Sequence, residues 1–360
     1  MEVTEAFTKV ESDTSTNSRN EFRWLKEHAI AATKQTASPA RQGWRQRLRA
    51  LCVVRGRGRP LQYLLGTEYF GNLEIVCKPG VLIPRQETAA SVTYLVNRLV
   101  QRRSQLPSRL RVLDLCTGTG CIPLLFHDEL YSAIAKHPRL ELLGIDLSKD
   151  AVRLARLNWQ EQLKDQTNVR GEKSPRVQSL ERTNFMRANV LARVASDENP
   201  TTPSVEGLLS DASASGEVRS EWDILTCNPP YISPRAFNHT TARSVRNFEP
   251  KLALVPAERP GLSDDEAGDM FYPRLLEIAD FVRAKIVLFE VADLEQAQRV
   301  AEMVVSRNAF ERVEIWRDDP SQVNDHHDHT GDLKCVRLRG EGNGRTVVAW
   351  RAEGLDWLGE

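Results

Sequence analysis

After Pro107 the sequence alternates between short apolar runs and stretches with helical apolar spacing. Residues 111–115 read as a strand, 121–137 as a helix, 140–146 as a strand, and 149–163 as a helix with apolar residues at 152, 154, 155 and 157. A weaker strand follows at 185–191 and a clear one at 222–227. Then come a helix at 272–282, a strand at 285–291, a helix at 294–307 and strands at 312–317 and 346–351. Strands joined through helices pair in parallel, so the pattern predicts an α/β fold: a doubly wound, mostly parallel sheet with helices on both faces. No helical pattern separates the last two strands, which predicts an antiparallel strand at the edge.

Upstream the chain changes character twice. Residues 1–20 are polar and rich in Ser, Thr and Glu, and read as a disordered tail. Residues 21–60 read as a short basic helical region. No Asp or Glu occurs between His28 and Thr67, while Arg41, Arg45, Arg47, Arg49, Arg55, Arg57 and Arg59 accumulate. Such a run is more often a solvated face than a binding patch, and that is the reading preferred here over an RNA or acidic-partner site. Residues 61–105 read as a β-hairpin, with strands at 61–65 and 73–77, followed by a linker helix. Residues 106–360 then form the main domain, with surface insertions expected near 167–184, 192–220 and 321–343.

Composition removes several classes. The 49 basic residues balance the 49 acidic ones, which argues against a chain built to coat a nucleic-acid backbone. No apolar run approaches the ~20 residues needed to span a bilayer, so no membrane role is expected. The six cysteines contain no Cys-x-x-Cys pair. His326, His327 and His329 sit in a polar loop stretch with no Cys-x-x-Cys pair beside them, and no metal is expected.

The stretch 112–120 runs from a strand straight into a helix, and Gly118 and Gly120 allow a tight turn and close backbone approach to a ligand. A dinucleotide fingerprint would need its third glycine where Pro123 stands. Asp114, at the strand end, would repel a pyrophosphate but suits a ligand with an ammonium and a sulfonium, such as S-adenosyl-L-methionine. The next strand ends at Asp146, placed to accept from ribose hydroxyls; its alternative role is to cap the following helix. Asn189, ending the third strand, stands where a group contacting adenine is expected.

The most specific stretch is 223–231, DILTCNPPY. A buried strand emerges at the carboxyl edge of the sheet, where ligands of such folds bind. Pro229 and Pro230 lack backbone N–H groups and stiffen the turn. The Asn228 side-chain carbonyl and the Asn228 and Pro229 backbone carbonyls form an acceptor array suited to a planar NH2 group, and Tyr231 can stack on that group. Accepting both N–H bonds orients the nitrogen for attack on a methyl group. The bland alternative is an Asn-Pro turn with a core tyrosine.

The segments 59–66, 82–88, 114–120, 228–231 and 248–254 together resemble the HemK/PrmC family, the peptide chain release factor N5-glutamine methyltransferases. The resemblance covers about residues 59–318 plus 345–350. It implies a class I methyltransferase fold with a seven-stranded sheet, S-adenosyl-L-methionine as cofactor, and as substrate the glutamine of the Gly-Gly-Gln motif in a class I release factor. By that pattern Asn228, Pro229, Pro230 and Tyr231 hold the substrate amide, with Asn228, Pro229 and Tyr231 catalytic. Asp114, Cys116, Thr117, Gly118, Thr119, Gly120, Asp146, Asn189 and Asn228 bind the cofactor. Arg85, Glu87 and Thr88 pack beside the cofactor pocket, and an amino-terminal helical domain recognises the release factor. The chain departs from the pattern at Gln86, usually Pro; at Cys116 and Ala292, usually Gly; and at Asn189, near which an acidic residue is usual. A side chain at 116 is expected to suit the loop only where φ is negative.

Two other functions fit parts of the sequence: an N6-adenine methyltransferase of DNA or RNA, whose target amine is also planar, and a non-catalytic S-adenosyl-L-methionine-binding assembly factor. The protein is expected to act as a monomer. The amino-terminal extension and the three insertions resemble the mitochondrial, fungal-type branch. Yet Glu2, Glu5, Glu11 and Asp13 are unlike a presequence, leaving the cytoplasm as the alternative compartment.

Overall fold

The structure is a computed structural model that describes residues 15–34, 43–133, 138–166, 174–193, 202–214, 221–322 and 336–359. Two strands, β1 (Thr67–Phe70) and β2 (Leu73–Val76), form a separate antiparallel hairpin. The central sheet holds β3 (Arg109–Leu115), β4 (Arg139–Asp146), β5 (Thr183–Arg187), β6 (Ile224–Cys227), β7 (Ile286–Glu290), β8 (Arg312–Asp319), β9 (Val336–Arg339) and β10 (Glu341–Trp350). Their order is β5-β4-β3-β6-β7-β10-β8-β9.

Alternate residues of each central strand enter opposite layers, as the two-residue repeat demands. In β7, Val287 and Phe289 join one core with Tyr272 and Leu275 of the helix Phe271–Phe281, while Ile286 and Leu288 join the other with Leu95 and Leu99 of the helix Gln86–Gln101. Both faces are thus covered, and the doubly wound α/β fold expected from the alternation is present, the architecture that the resemblance implies for a class I methyltransferase. Two details differ. The antiparallel strand is β10, inserted between β7 and β8 rather than lying at the edge. An eighth strand, β9, pairs parallel with β8 on its outer side. The chain passes from β9 to β10 over the end of β8 at Gly340, where an added Cβ would lie 2.2 Å from the Asp319 carbonyl oxygen. That close approach admits only glycine.

Several local expectations also change. Residues 61–65 form a helix, not the first strand of the hairpin, which begins at Thr67. A five-residue apolar run carries no period of its own, and Pro60 before it and Gly66 after it at φ +89° bound a helical turn. The expected tail is cut short by the helix Ser15–Lys34, leaving only 1–14 outside the described residues. The stretches expected as insertions carry structure where they are described: the helix Pro175–Glu181 in the first, the helix Val205–Ala214 in the second and β9 in the third, while the strand expected at 185–191 begins earlier, as β5 at Thr183, and ends at Arg187. Arg41, His326, His327 and His329 lie outside the described residues.

Candidate active site

β3, β4, β6 and β7 are neighbours in the sheet and end at the same edge, bringing together residues far apart in sequence. The chain leaves β3 through Cys116 at φ +56°, Gly118 at φ +55° and Gly120 at φ +77° before the helix Cys121–Ala133. Thr117 N donates to the Ile145 carbonyl at 3.0 Å, pinning the loop to β4. At Gly120 an added Cβ would come within 3.0 Å of both Ala155 and the Phe185 ring, so the turn packs directly on the helix and strand behind it. At Gly118 the nearest such atom is 4.0 Å away, because that side opens into a cavity.

The cavity has a volume of about 480 Å³. Its walls include Cys116, Thr117, Gly118 and Thr119 of the loop, Asp146, Asn189 and Val190 past the neighbouring strands, and Thr88, Asn228 and Pro230 from the other side. Asp146 accepts from Gly118 N at 2.9 Å through Oδ2 and from Ser148 N at 2.8 Å through Oδ1. Asp146 thus fastens the backbone locally and also faces the cavity with lone pairs to spare, while the cap of the following helix is Ser148, whose Oγ accepts from Ala151 N at 3.3 Å. Burial pushes its carboxyl up, and the Ser148 and Gly118 N–H groups oppose that. Asn189 lies beyond β5 in an isolated bridge to Ser204, with its Oδ1 accepting from Leu191 N at 3.0 Å.

Asp114 departs from expectation. It is fully buried beneath the loop and is not a wall of the cavity. Its Oδ1 accepts from Thr226 Oγ1 at 2.7 Å across the β3–β6 ladder, where the two residues are register partners. Its Oδ2 makes no hydrogen bond of ordinary geometry, and neither do the buried Thr117 and Thr119 hydroxyls above it. Burial raises the Asp114 carboxyl to about 7, against the pull of Thr117 and Thr226.

Cys116 answers the question its side chain poses. The backbone is left-handed there, which is why a glycine suits the position, and a lone non-glycine residue in that region costs roughly 1–2 kcal/mol. The negative φ expected at 116 is thus not what the structure shows; the side chain sits at φ +56° and lines the cavity.

A second cavity, of about 440 Å³, opens on the far side of Asn228. Pro229, Tyr231, Ala292, Gln296 and Arg345 line it, and Leu82, Arg85, Asn228 and Ala253 line both cavities. Asn228 therefore stands where the two meet. Its Nδ2 donates to Thr88 Oγ1 at 3.5 Å. Thr88 Oγ1 donates in turn to Glu290 Oε2, and Tyr231 Oη donates to Glu290 Oε1 at 3.1 Å. Burial pushes the Glu290 carboxyl up, while the Thr88 and Tyr231 hydroxyls and the Arg345 charge oppose it. Burial, reinforced by the Glu290 charge, also pushes the Tyr231 phenol upward, so Tyr231 is no proton acceptor near neutrality.

Arg85 Nη2 pairs with Glu249 Oε1 at 2.7 Å, and Glu249 Oε2 accepts from Ile83 N at 3.1 Å. The segments around 85 and 249 are thus clamped together over the junction. Sequence reasoning missed Glu290, Arg345 and Gln296. For Glu290 a signal existed: an acid closing a wholly apolar strand, as Asp146 closes β4. Arg345 and Gln296 reach the cavity through tertiary contacts that no local pattern marks.

A scan against models of protein families returns no match for this chain. Among curated proteins, it is 32% identical over 291 residues to the probable MRF1 mitochondrial N(5)-glutamine methyltransferase mtq1 of Schizosaccharomyces pombe, covering 80% of this chain and 79% of that one. The chain belongs to the release factor glutamine methyltransferase family. It is also 36% identical over 211 residues to the mitochondrial MRF1 N(5)-glutamine methyltransferase MTQ1 of Saccharomyces cerevisiae, a match spanning 58% of this chain and about half, 53%, of that relative. A release factor glutamine methyltransferase of Haemophilus influenzae is 28% identical over 276 residues, covering 76% and 77% of the two chains.

The cofactor of the release factor glutamine methyltransferase family is S-adenosyl-L-methionine, and the first cavity fits it. Gly118 leaves open space where any side chain would intrude, and the Asp146 carboxylate faces the same space with lone pairs to spare. The departures from the family pattern are absorbed locally. Gln86 opens its helix at the first position, where Pro is equally at home, and its Nε2 instead ties the helix to the Tyr69 carbonyl. Ala292 adds a methyl group to the wall of the second cavity while its carbonyl accepts from Arg345 Nη1 at 2.9 Å.

Proposed function

We propose that this protein transfers a methyl group from S-adenosyl-L-methionine to the side-chain amide nitrogen of the Gly-Gly-Gln glutamine in a class I peptide chain release factor. The observation that carries the reading is the junction of two cavities at Asn228. The first takes the cofactor: Cys116 to Thr119 cradle it, Asp146 accepts from its ribose and Asn189 meets its adenine. Bound there, S-adenosyl-L-methionine supplies an electrophilic methyl group on a sulfonium. The second cavity takes the glutamine.

The chain's own residues hold and orient the amide. The Asn228 side-chain carbonyl and the backbone carbonyls at 228 and 229 accept both N–H bonds, fixing the nitrogen toward the first cavity. Pro229 and Pro230 contribute no competing donor. Acceptors on both N–H bonds push electron density onto the nitrogen, which gains a methyl group and loses one proton over the reaction. The methyl donor is reactive enough that no strong base is required, consistent with a junction lined by Asn228, Arg85 and Leu82. The two fungal relatives named as mitochondrial support a mitochondrial location, and we infer that the protein acts there as a monomer.

The test is labelled S-adenosyl-L-methionine offered with an organellar class I release factor, its Gln→Ala variant, RNA and DNA. Label on the wild-type factor alone is expected; label on nucleic acid would overturn the reading. Asn228→Ala should keep cofactor affinity within about threefold while lowering transfer by roughly a hundredfold or more, as loss of a group acting on the transition state does. Loss of cofactor binding in that variant would contradict the division between the two cavities.

A further inference from the structure

An asparagine amide at the junction works only one way round. With its carbonyl toward the substrate it accepts from the glutamine NH2; turned by 180° it presents its own NH2, and two donors face each other. Little in the local chain distinguishes these states, because the two amide ends have nearly the same shape. The choice must come from what lies behind Asn228.

Behind it lies Thr88, 3% exposed, on the first turn of the helix Gln86–Gln101. The Thr88 hydroxyl has one proton, and that proton is committed to Glu290 Oε2. Glu290 is 2% exposed and is a wall of neither cavity, and its other oxygen accepts from Tyr231 Oη. A carboxylate accepting two hydroxyls leaves each hydroxyl with only lone pairs to offer elsewhere. The group approaching Thr88 Oγ1 at 3.5 Å must then be a donor, which is Asn228 Nδ2. Its carbonyl is left to face the cavities.

We propose that Thr88 and Glu290 are positioning residues that set the rotational sense of the Asn228 amide, so that its carbonyl oxygen meets the substrate nitrogen. The inference rests on the methyl-transfer reading for its catalytic consequence, but the orientation itself belongs to the protein alone. It also unites elements that share no sequence proximity: the start of one helix, the end of β7 and the turn after β6. Glu290 acts through the two hydroxyls and never touches the substrate.

Three variants of the full chain separate this role from a merely structural one. Thr88→Val removes the acceptor while keeping the shape, and should lower kcat about tenfold to a hundredfold, with KM for the release factor and affinity for S-adenosyl-homocysteine within about threefold. Thr88→Ser restores the hydroxyl and should recover most of kcat. Ser91→Ala, on the same helix, deletes a different buried hydrogen bond, to Thr346 Oγ1, and should leave kcat unchanged. A Thr88→Val enzyme with normal kcat, or a Thr88→Ser enzyme as poor as it, would overturn the proposal.

A second readout needs no turnover. In 15N spectra of the ligand-free protein, the Asn228 NH2 pair, assigned by its disappearance in Asn228→Asp, should shift and exchange faster in Thr88→Val and in Glu290→Gln but not in Thr88→Ser. An unmoved pair would sink the orientation argument even if the wild-type enzyme methylates as proposed. A shifted pair in a protein inactive on every release factor would place the failure in the functional reading instead.

Discussion

Asp114 sits at the end of β3 with its carboxyl buried and raised to about 7, whereas an aspartate in the unfolded chain titrates near 4. Between those values the folded protein holds a proton that the unfolded chain has released, so stability falls as pH rises through that window and levels off above it. Asp114→Asn removes the titration and keeps an acceptor for Thr226. Its melting temperature relative to wild type should therefore rise between pH 5 and pH 8, with the gap constant above about pH 8. A gap independent of pH would mean that the carboxyl titrates normally. At this scale sequence reading was uneven. The places of Asn228, Gly118 and Asp146 on the cavity wall were legible because each follows from residue type at the end of a strand. The burial of Asp114 away from the cavity was not, because only the β3–β6 register sets Thr226 beside it. Thr88 and Glu290 were illegible as a pair for a related reason: 202 residues separate them, and neither has a local motif that implies the other.

Between elements, the clearest dependence is that of β8 and β9 on the helix Gln86–Gln101. Glu314 on β8 is 2% exposed and accepts from Arg98 Nη1 at 2.9 Å, from Arg339 Nε and Nη2 of β9 at 3.1 Å each, and from Trp316 Nε1 at 2.7 Å. Arg98 is itself buried and also reaches the Leu358 carbonyl near the carboxyl end. These donors hold the Glu314 carboxyl below its usual range in spite of burial. Glu314→Ala leaves the Arg98 charge uncompensated in the core and should destabilise the protein by about 3–5 kcal/mol, read as a drop in the urea midpoint at constant slope. A loss under about 1 kcal/mol would show the pair to be as weakly coupled as a surface bridge. Elements were the most legible scale, since periods of 3.6 and 2 survive in sequence. The failures were short or interrupted ones. The turn of helix at Leu61–Leu65 had too few residues to show a period, and β9 has only four residues beside a polar stretch.

The whole molecule divides its apolar core unequally. Two large clusters occupy the two faces of the sheet, while Leu25, Ala29, Leu48, Cys52 and Leu61 form a small cluster of their own between the helices Ser15–Lys34 and Trp44–Gly56 and the turn after them. The basic run is carried largely by that helical pair. There part of it is neutralised internally: Arg55 Nε pairs with Glu21 at 2.8 Å, reaching back to an acid that precedes the acid-free stretch. Neutral overall charge thus hides a partly compensated basic unit with its own core, set apart from the residues that line either cavity. If this unit guides the release factor while the sheet edge does the chemistry, the two functions should separate by mutation. Leu25→Ala, at a fully buried position, should cost about 2–5 kcal/mol, taken mostly from the helical pair. Hydrogen exchange should then quicken across 15–34 and 44–56 but not in β3, β4 or β6. Cofactor affinity should stay within about threefold of wild type, while KM for the intact release factor rises and KM for a short glutamine peptide does not. Parallel weakening of cofactor binding would instead show that the small cluster and the sheet form one cooperative unit.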